Sequence, residues 1–215
     1  NAADTEDSLS RAEEVLFDIR SGRGSRDFEH IREVLDTYLE ESLQGPEMNA
    51  LAPVPCGFDL VDQLLGGGLQ RSDLIILAAR PSLGKSTLAF NMATSAAKHG
   101  NNVGIFSLEM SAGQIGNRLI SSESNVDSHR LRLQLYTDLE ERRIFDAIGS
   151  LSDLQIFIDD TPIQTIVEMR SKARRLQAER GLDLIIVDYL QLIGGTGGRN
   201  ANRVQEMGEI SRSLK

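Results

Sequence analysis

The sequence predicts an α/β fold, a mostly parallel sheet flanked by helices and preceded by a short helical segment, on three observations. From Gly57 onward, short apolar runs alternate with stretches of helical periodicity. The runs are apolar at successive positions rather than alternate ones, as strands covered on both faces require. One of them, "LIILAA" (Leu74 to Ala79), leads straight into "RPSLGKST", where a glycine and a lysine stand at a helix start. A length of 215 residues suffices for one substantial α/β domain plus a small appendage, and 40% hydrophobic with 26% charged residues is ordinary for a soluble globule.

The first expected element is a short amphipathic helix, because "SRAE" (Ser10 to Glu13) is a capping-box pattern and Val15, Leu16 and Ile19 follow on one face. After "SGRGSRD", a second helical pattern puts Ile31, Val34, Leu35, Tyr38, Leu39 and Leu43 on one stripe. Prolines and a glycine in "QGPEMNALAPVP" (Gln44 to Pro55) end it, so residues 1–56 are assigned as a helical linker segment and 57–215 as the α/β domain. Two such small helices cannot bury their stripes on each other alone. The first is expected to dock on its own domain or on a neighbouring copy, and the residues leave both open. Four strands are expected: "LIILAA", "VGIFS" (Val103 to Ser107), "QIFID" (Gln155 to Asp159) and "LIIVD" (Leu184 to Asp188). Helices with legible ends lie between them. Lys85 to His99 is closed by Gly100, Ser111 to Ser122 is opened by "SAGQ", and Thr165 to Arg180 is opened by "TIVE" and closed by Gly181.

Composition and charge weigh against several function classes. The apolar runs fall far short of the roughly 20 residues of a membrane-spanning helix, so no membrane partner is expected. No signal-peptide pattern opens the chain and Cys56 has no second cysteine to pair with, which points to a reducing cytoplasm. Cys56 reads as a small, partly buried apolar residue rather than a nucleophile. His30, His99 and His129 have no metal-ligand spacing and read as surface or capping residues. A formal charge of -9 argues against a surface coated with nucleic-acid contacts, without excluding a local basic path. Asn1 at the start and the helical pattern "VQEMGEISRSLK" at the end suggest a piece of a longer protein.

The loop carries the chemistry. The phosphate-loop pattern G-x-x-x-x-G-K-[ST] fits Gly84, Lys85 and Ser86, but Ala79 occupies the place of its first glycine. That position needs only a small residue at the strand end, and Pro81 pre-sets a neighbouring backbone angle. Backbone N–H groups around Ser82, Leu83, Gly84, Lys85, Ser86 and Thr87 would curl about phosphates at the positive end of a helix. Lys85 would neutralise the β and γ phosphates of ATP, and the Ser86 hydroxyl would suit Mg²⁺. Gly84 is expected because a Cβ there would collide with the phosphate or with the helix turn. Asp188, ending a buried strand, is the expected metal-side acid, since open α/β sheets bind ligands at that edge. Glu109, just past "VGIFS", is the expected general base for the attacking water. Asp159 and Asp160 could approach the same edge, but "DDTP" reads better as a turn with an aspartate cap.

Together, "GFDLVDQLLGGGLQRSDLIILAARPSLGKSTLAFNMA", "FSLEM", "IDDTP", "LIIVDYLQLI" and "EISRSLK" closely resemble the ATPase domain of bacterial replicative DNA helicases of the DnaB type, from about Gly57 to Lys215. An alanine at the first loop position is usual in that family. The resemblance implies a RecA-like core that assembles as a homo-hexamer, hydrolyses ATP between subunits with Mg²⁺ and moves 5′ to 3′ on single-stranded DNA. It implies a primase and a helicase loader as partners, and a linker helix around "RAEEVLFDIRSG" packed on the adjacent subunit. It assigns Lys85 and Ser86 to phosphate and Mg²⁺, Glu109 to water activation and Asp188 to the metal. Arg118 would lie beside the nucleotide base, a solvated surface arginine being the alternative. In "GGTGGRNANR", Arg199 and Arg203 would face the central channel and touch DNA phosphates, against the alternative of a loop without a partner. The basic helix "MRSKARRLQAER" (Met169 to Arg180) reads as a solvated face. The family's N-terminal collar domain, the later strands and the arginine given to a neighbour's ATP are expected outside residues 1–215.

Two other readings compete with the helicase. A RecA-like recombinase or clock-type ATPase shares the "GGGL" approach and the loop, and a non-hydrolysing scaffold would use ATP only for assembly. The "SLEM" and "DYLQLI" contexts favour the helicase over the first, and Glu109 weighs against the second.

Overall fold

In the computed structural model, the described residues are 52–80 and 82–189, together with 30–33, 35–36 and 39 from an N-terminal helical stretch. The chain divides into two compact units, Asn1–Ala52 and Pro53–Lys215. In the first, the described positions from 31 onward are helical, and Ile31, Leu35 and Leu39 are exposed. The "SRAE" helix, Pro81, Arg199 and Arg203 lie outside the described residues.

The second unit is built on a parallel sheet. β1 (Val103–Ser107) is central, with β2 (Ile156–Asp159) on one side and β3 (Leu184–Asp188) on the other. Val103 stands level with both Ile156 and Leu184, and Ser107 pairs with Asp188 at the far end. Parallel neighbours need crossover connections, and helices supply them. In chain order these elements join α1 (Asp59–Leu64), α2 (Lys85–Lys98), α3 (Ala112–Ser124), α4 (Ser128–Arg132), α5 (Asp138–Ser152) and α6 (Ile166–Arg180).

Every residue of β1 is buried, because helices cover both sheet faces. Val103 and Ile105 meet Phe90, Ala93, Ala96 and Ala97 of α2 and Ile115 and Leu119 of α3. The alanines recur at helical spacing and let α2 approach the sheet closely. Phe106 belongs to a second cluster, with Met169, Ile166 and Ala173 of α6. Phe90, Ile105 and Ile115 are 1%, 1% and 0% exposed, and burial of such a side chain contributes about 1.5–3 kcal/mol.

Helix ends follow their sequence signals. Ser111 with Gln114 and Thr165 with Glu168 form reciprocal capping boxes. Gly100 and Gly181 stand just beyond α2 and α6 with φ of +83° and +81°. Ahead of α2, Val54 and Leu69 exchange backbone hydrogen bonds of 2.9 and 2.8 Å. Gly68 is required there, since its φ is +141° and a Cβ would meet the Val54 carbonyl oxygen at 2.5 Å.

Two expectations need correction. The run "LIILAA" forms no strand among the described residues, and Leu74, Ile75, Ile76 and Leu77 are 37%, 51%, 62% and 39% exposed. An apolar run supplies side chains for a sheet, but a strand exists only where a neighbouring backbone completes its hydrogen bonds. The helices α1, α4 and α5 are additions to the expected elements, although "TDLE" is legible as the start of α5: Thr137 and Glu140 form a third capping box.

Candidate active site

The C-terminal ends of β1 and β3 and the N-terminus of α2 build one site. Ahead of α2, the Leu83 N–H donates to the Arg80 carbonyl at 3.3 Å. Ser82 and Gly84 have φ of +65° and +86°. Gly84 is the N-cap of α2 and Lys85 its first residue, so Lys85, Ser86 and Thr87 carry amide groups free of intrahelical partners. A Cβ on Gly84 would meet nothing within 4 Å. The expected collision with the helix turn is therefore not the reason for glycine; the left-handed backbone is.

Lys85 reaches across to β3. Its Nζ lies 3.4 Å from Asp188 Oδ1, and Asp188 is 3% exposed. The same ammonium sits 4.6 Å from the centre of the Tyr189 ring. Asp188 Oδ2 is buried and has no hydrogen-bond partner among the described residues. A carboxylate oxygen left in that condition costs about 1–3 kcal/mol or more, and a hard cation bound through oxygen would satisfy it. Ser86 opens α2 directly after Lys85, so the donor set of one hydroxyl and one carboxylate fits Mg²⁺. No group of three or more His, Cys, Asp or Glu forms a separate metal cluster among the described residues.

Glu109 is delivered by β1. Ser107 pairs with Asp188, and the Leu108 N–H donates to the Asp188 carbonyl at 2.9 Å. The buried Ser107 hydroxyl donates to the Met110 carbonyl at 2.7 Å and accepts from the Met110 N–H at 3.1 Å. Those bonds fasten the turn on either side of Glu109, whose side chain is exposed at the same sheet edge as Asp188. Next, the Ala112 N–H donates to Asp160 Oδ2 at 2.8 Å. Asp160 thus anchors the start of α3 from the end of β2, a role that its place in "DDTP" does not reveal. Asp159 forms the expected turn: its Oδ1 accepts from the Thr161 N–H and hydroxyl at 3.0 and 2.6 Å. Its other oxygen pairs with Lys172 at 2.5 Å. Burial raises the Asp159 pKa, but Lys172 and Thr161 outweigh it and hold the carboxyl below its ordinary value.

Arg118 stands on the exposed side of α3, with Nη1 3.5 Å from the Thr87 hydroxyl. That contact places it beside the first turn of α2. Tyr189 escapes a residue-level reading, although it follows Asp188 directly in "DYLQL". Cys56 is buried, with its thiol pKa pushed up by burial and by its hydrogen bond to Asp62. Such a thiol is inert.

Comparison with known proteins decides the family. The family described as "DnaB-like helicase C terminal domain" matches residues 53–215. The chain belongs to the DnaB-like helicase family. It is 42% identical to the replicative DNA helicase DnaC of Bacillus subtilis, over 99% of this chain and 47% of that protein. Identity is also 42% to DnaB of Geobacillus stearothermophilus, over 96% and 46%. The chain thus spans less than half the length of these two relatives. Among solved structures, one ATPase domain is similar with a TM-score of 0.76 and 28% identity, covering 87% of this chain and 66% of that one. A second similar structure is that of a DnaB-like replicative helicase and its interactions with primase, with a TM-score of 0.71, 26% identity and coverage of 98% and 54%. The expected RecA-like ATPase architecture of the DnaB-like family holds.

Proposed function

We propose that this chain is the nucleotide-binding part of a replicative DNA helicase, a hexameric ring that couples ATP hydrolysis to 5′–3′ movement along single-stranded DNA. The observation that carries this reading is the 3.4 Å approach of Lys85 to Asp188, whose second oxygen is buried without a partner among the described residues. In this assignment residues 1–56 are the linker segment and 57–215 belong to the ATPase domain.

Phosphates bind the amides of Ser82, Leu83, Gly84, Lys85, Ser86 and Thr87, and the Lys85 ammonium neutralises the β and γ oxygens. Ser86 and Asp188 hold Mg²⁺, which when bound supplies Lewis-acid polarisation of the phosphates. Glu109 accepts a proton from the attacking water as its oxygen bonds to the γ phosphorus and the bond to the β-phosphate oxygen breaks, leaving ADP. Arg118, beside Thr87, lies against the nucleotide. Arg199 and Arg203 contact the DNA backbone, an arrangement compatible with an acidic total. Primase is a proposed partner because a similar helicase structure describes that interaction, and a loader is proposed from the family resemblance. No helix among the described residues is long and apolar enough to cross a membrane, in keeping with a proposed cytoplasmic setting.

Two variants of the full-length protein test the assignment. Lys85→Ala should weaken ATP binding by about tenfold or more in equilibrium titration, the loss of one charge-assisted phosphate contact, and an unchanged dissociation constant removes the role of Lys85. Glu109→Gln should keep ATP binding while lowering kcat by roughly 10²-fold or more. Undiminished turnover would refute Glu109 as the base.

A further inference from the structure

The Tyr189 ring is an uncharged neighbour of the Lys85 ammonium. Lys85 Nζ lies 3.4 Å from Asp188 Oδ1 and 4.6 Å from the ring centre, so one carboxylate and one π face fix a long, flexible side chain. Both anchors come from the end of β3, whereas Lys85 itself opens α2. We infer that Tyr189 is a positioning residue for nucleotide binding, its ring holding the Lys85 ammonium at the mouth of the loop before phosphate arrives.

A neutral ring suits this task better than a second acid. A further carboxylate would hold the ammonium more tightly, compete with phosphate for its N–H donors and repel a triphosphate. The π face attracts the cation through its quadrupole and occupies none of those donors in a directed hydrogen bond. Ordering a free lysine side chain opposes binding, and the ring meets part of that cost in the empty site. Asp188 Oδ2 has no hydrogen-bond partner among the described residues, so the carboxylate would keep one oxygen for a metal while the other faces the lysine.

This inference rests on the nucleotide reading of the loop, and the two can fail separately. Full-length protein is titrated with a non-hydrolysable ATP analogue and Mg²⁺ in the wild type and in Tyr189→Leu and Tyr189→Phe. Leucine should weaken binding about twofold to fivefold, the equivalent of ~0.5–1 kcal/mol, and phenylalanine should restore it. AMP offers no β or γ phosphate to the lysine, so its competition should be equal in all three proteins. Failure of the wild type to bind the analogue would sink the nucleotide reading itself. With wild-type binding intact, the role of the ring is overturned by unchanged or tighter binding in Tyr189→Leu. It is equally overturned if phenylalanine binds as weakly as leucine, or if AMP weakens in parallel. Should the leucine variant unfold on heating below the wild type's range, Tyr189→Met replaces it with the same expected outcomes.

Discussion

At Gly84 the physical demand is on the backbone. Its φ of +86° lies where an L side chain is strained, although the space around a Cβ is open. Gly84→Ala should therefore lower stability by about 1–2 kcal/mol in denaturant unfolding even without nucleotide. Equal midpoints would show that the loop relaxes freely. The sequence pattern points to the right residue here for an incomplete reason, because a pattern records which residue stands at a position and not which dihedral it adopts. Lys85, Asp188 and Glu109 can be placed from the sequence because Lys85 opens α2, Asp188 ends β3 and Glu109 follows β1 closely, and the apolar pattern reveals the direction of all three elements. Tyr189 cannot be, since nothing in its own neighbourhood says that its ring lies against a lysine from a distant helix. Asp188→Asn should abolish most of the Mg²⁺ dependence of nucleotide affinity. Full Mg²⁺ dependence in that variant would assign the metal elsewhere.

Among the elements, the connection from β2 to α3 links fold to chemistry. Asp160 satisfies a first-turn amide of α3, and a capping interaction of this kind contributes about 0.5–2 kcal/mol. Asp160→Ala should cost that much stability and also lower kcat several-fold with little change in nucleotide affinity, because the turn bearing Glu109 leads into α3. Loss of affinity in step with kcat would mean that the whole site had shifted. The neighbouring Asp159 gives an acid response. Its folded pKa is depressed despite burial, by Lys172 and Thr161, so its contribution is fully present above the ordinary aspartate value. It is lost as pH falls through the lower folded value. Asp159→Asn should accordingly flatten the acid side of the stability profile, whereas an unchanged profile would show that the Lys172 pair contributes nothing. The capping boxes at Ser111 and Thr165 can be read from sequence because they are local, each closed within four residues. "LIILAA" cannot be read as paired or unpaired, because its partner would be another segment of backbone.

For the whole molecule, parallel order puts the C-terminal ends of β1 and β3 at one edge, and the loop of α2 meets them there. That convergence turns separate motifs into a candidate site, and it is legible because parallel apolar strands with acids at or just past their C-terminal ends deliver them to a common edge. The proposed roles of the linker stripe in assembly and of Arg199 and Arg203 in DNA contact belong to the assembled ring. Mass measurement in solution should find the full-length protein as a hexamer with ATP and Mg²⁺, and a persistent monomer would contradict the ring.

The proposed function requires one triphosphate held by Lys85, with Asp188 and Glu109 on either side of its terminal phosphorus. A crystal structure of the full-length protein with a non-hydrolysable ATP analogue and Mg²⁺ tests this most directly. It should show Lys85 Nζ on β and γ oxygens, the metal beside Ser86 Oγ and Asp188, and Glu109 within one water of the γ phosphorus. A nucleotide bound away from the Ser82–Thr87 loop, or Glu109 turned from its γ-phosphate, would contradict it.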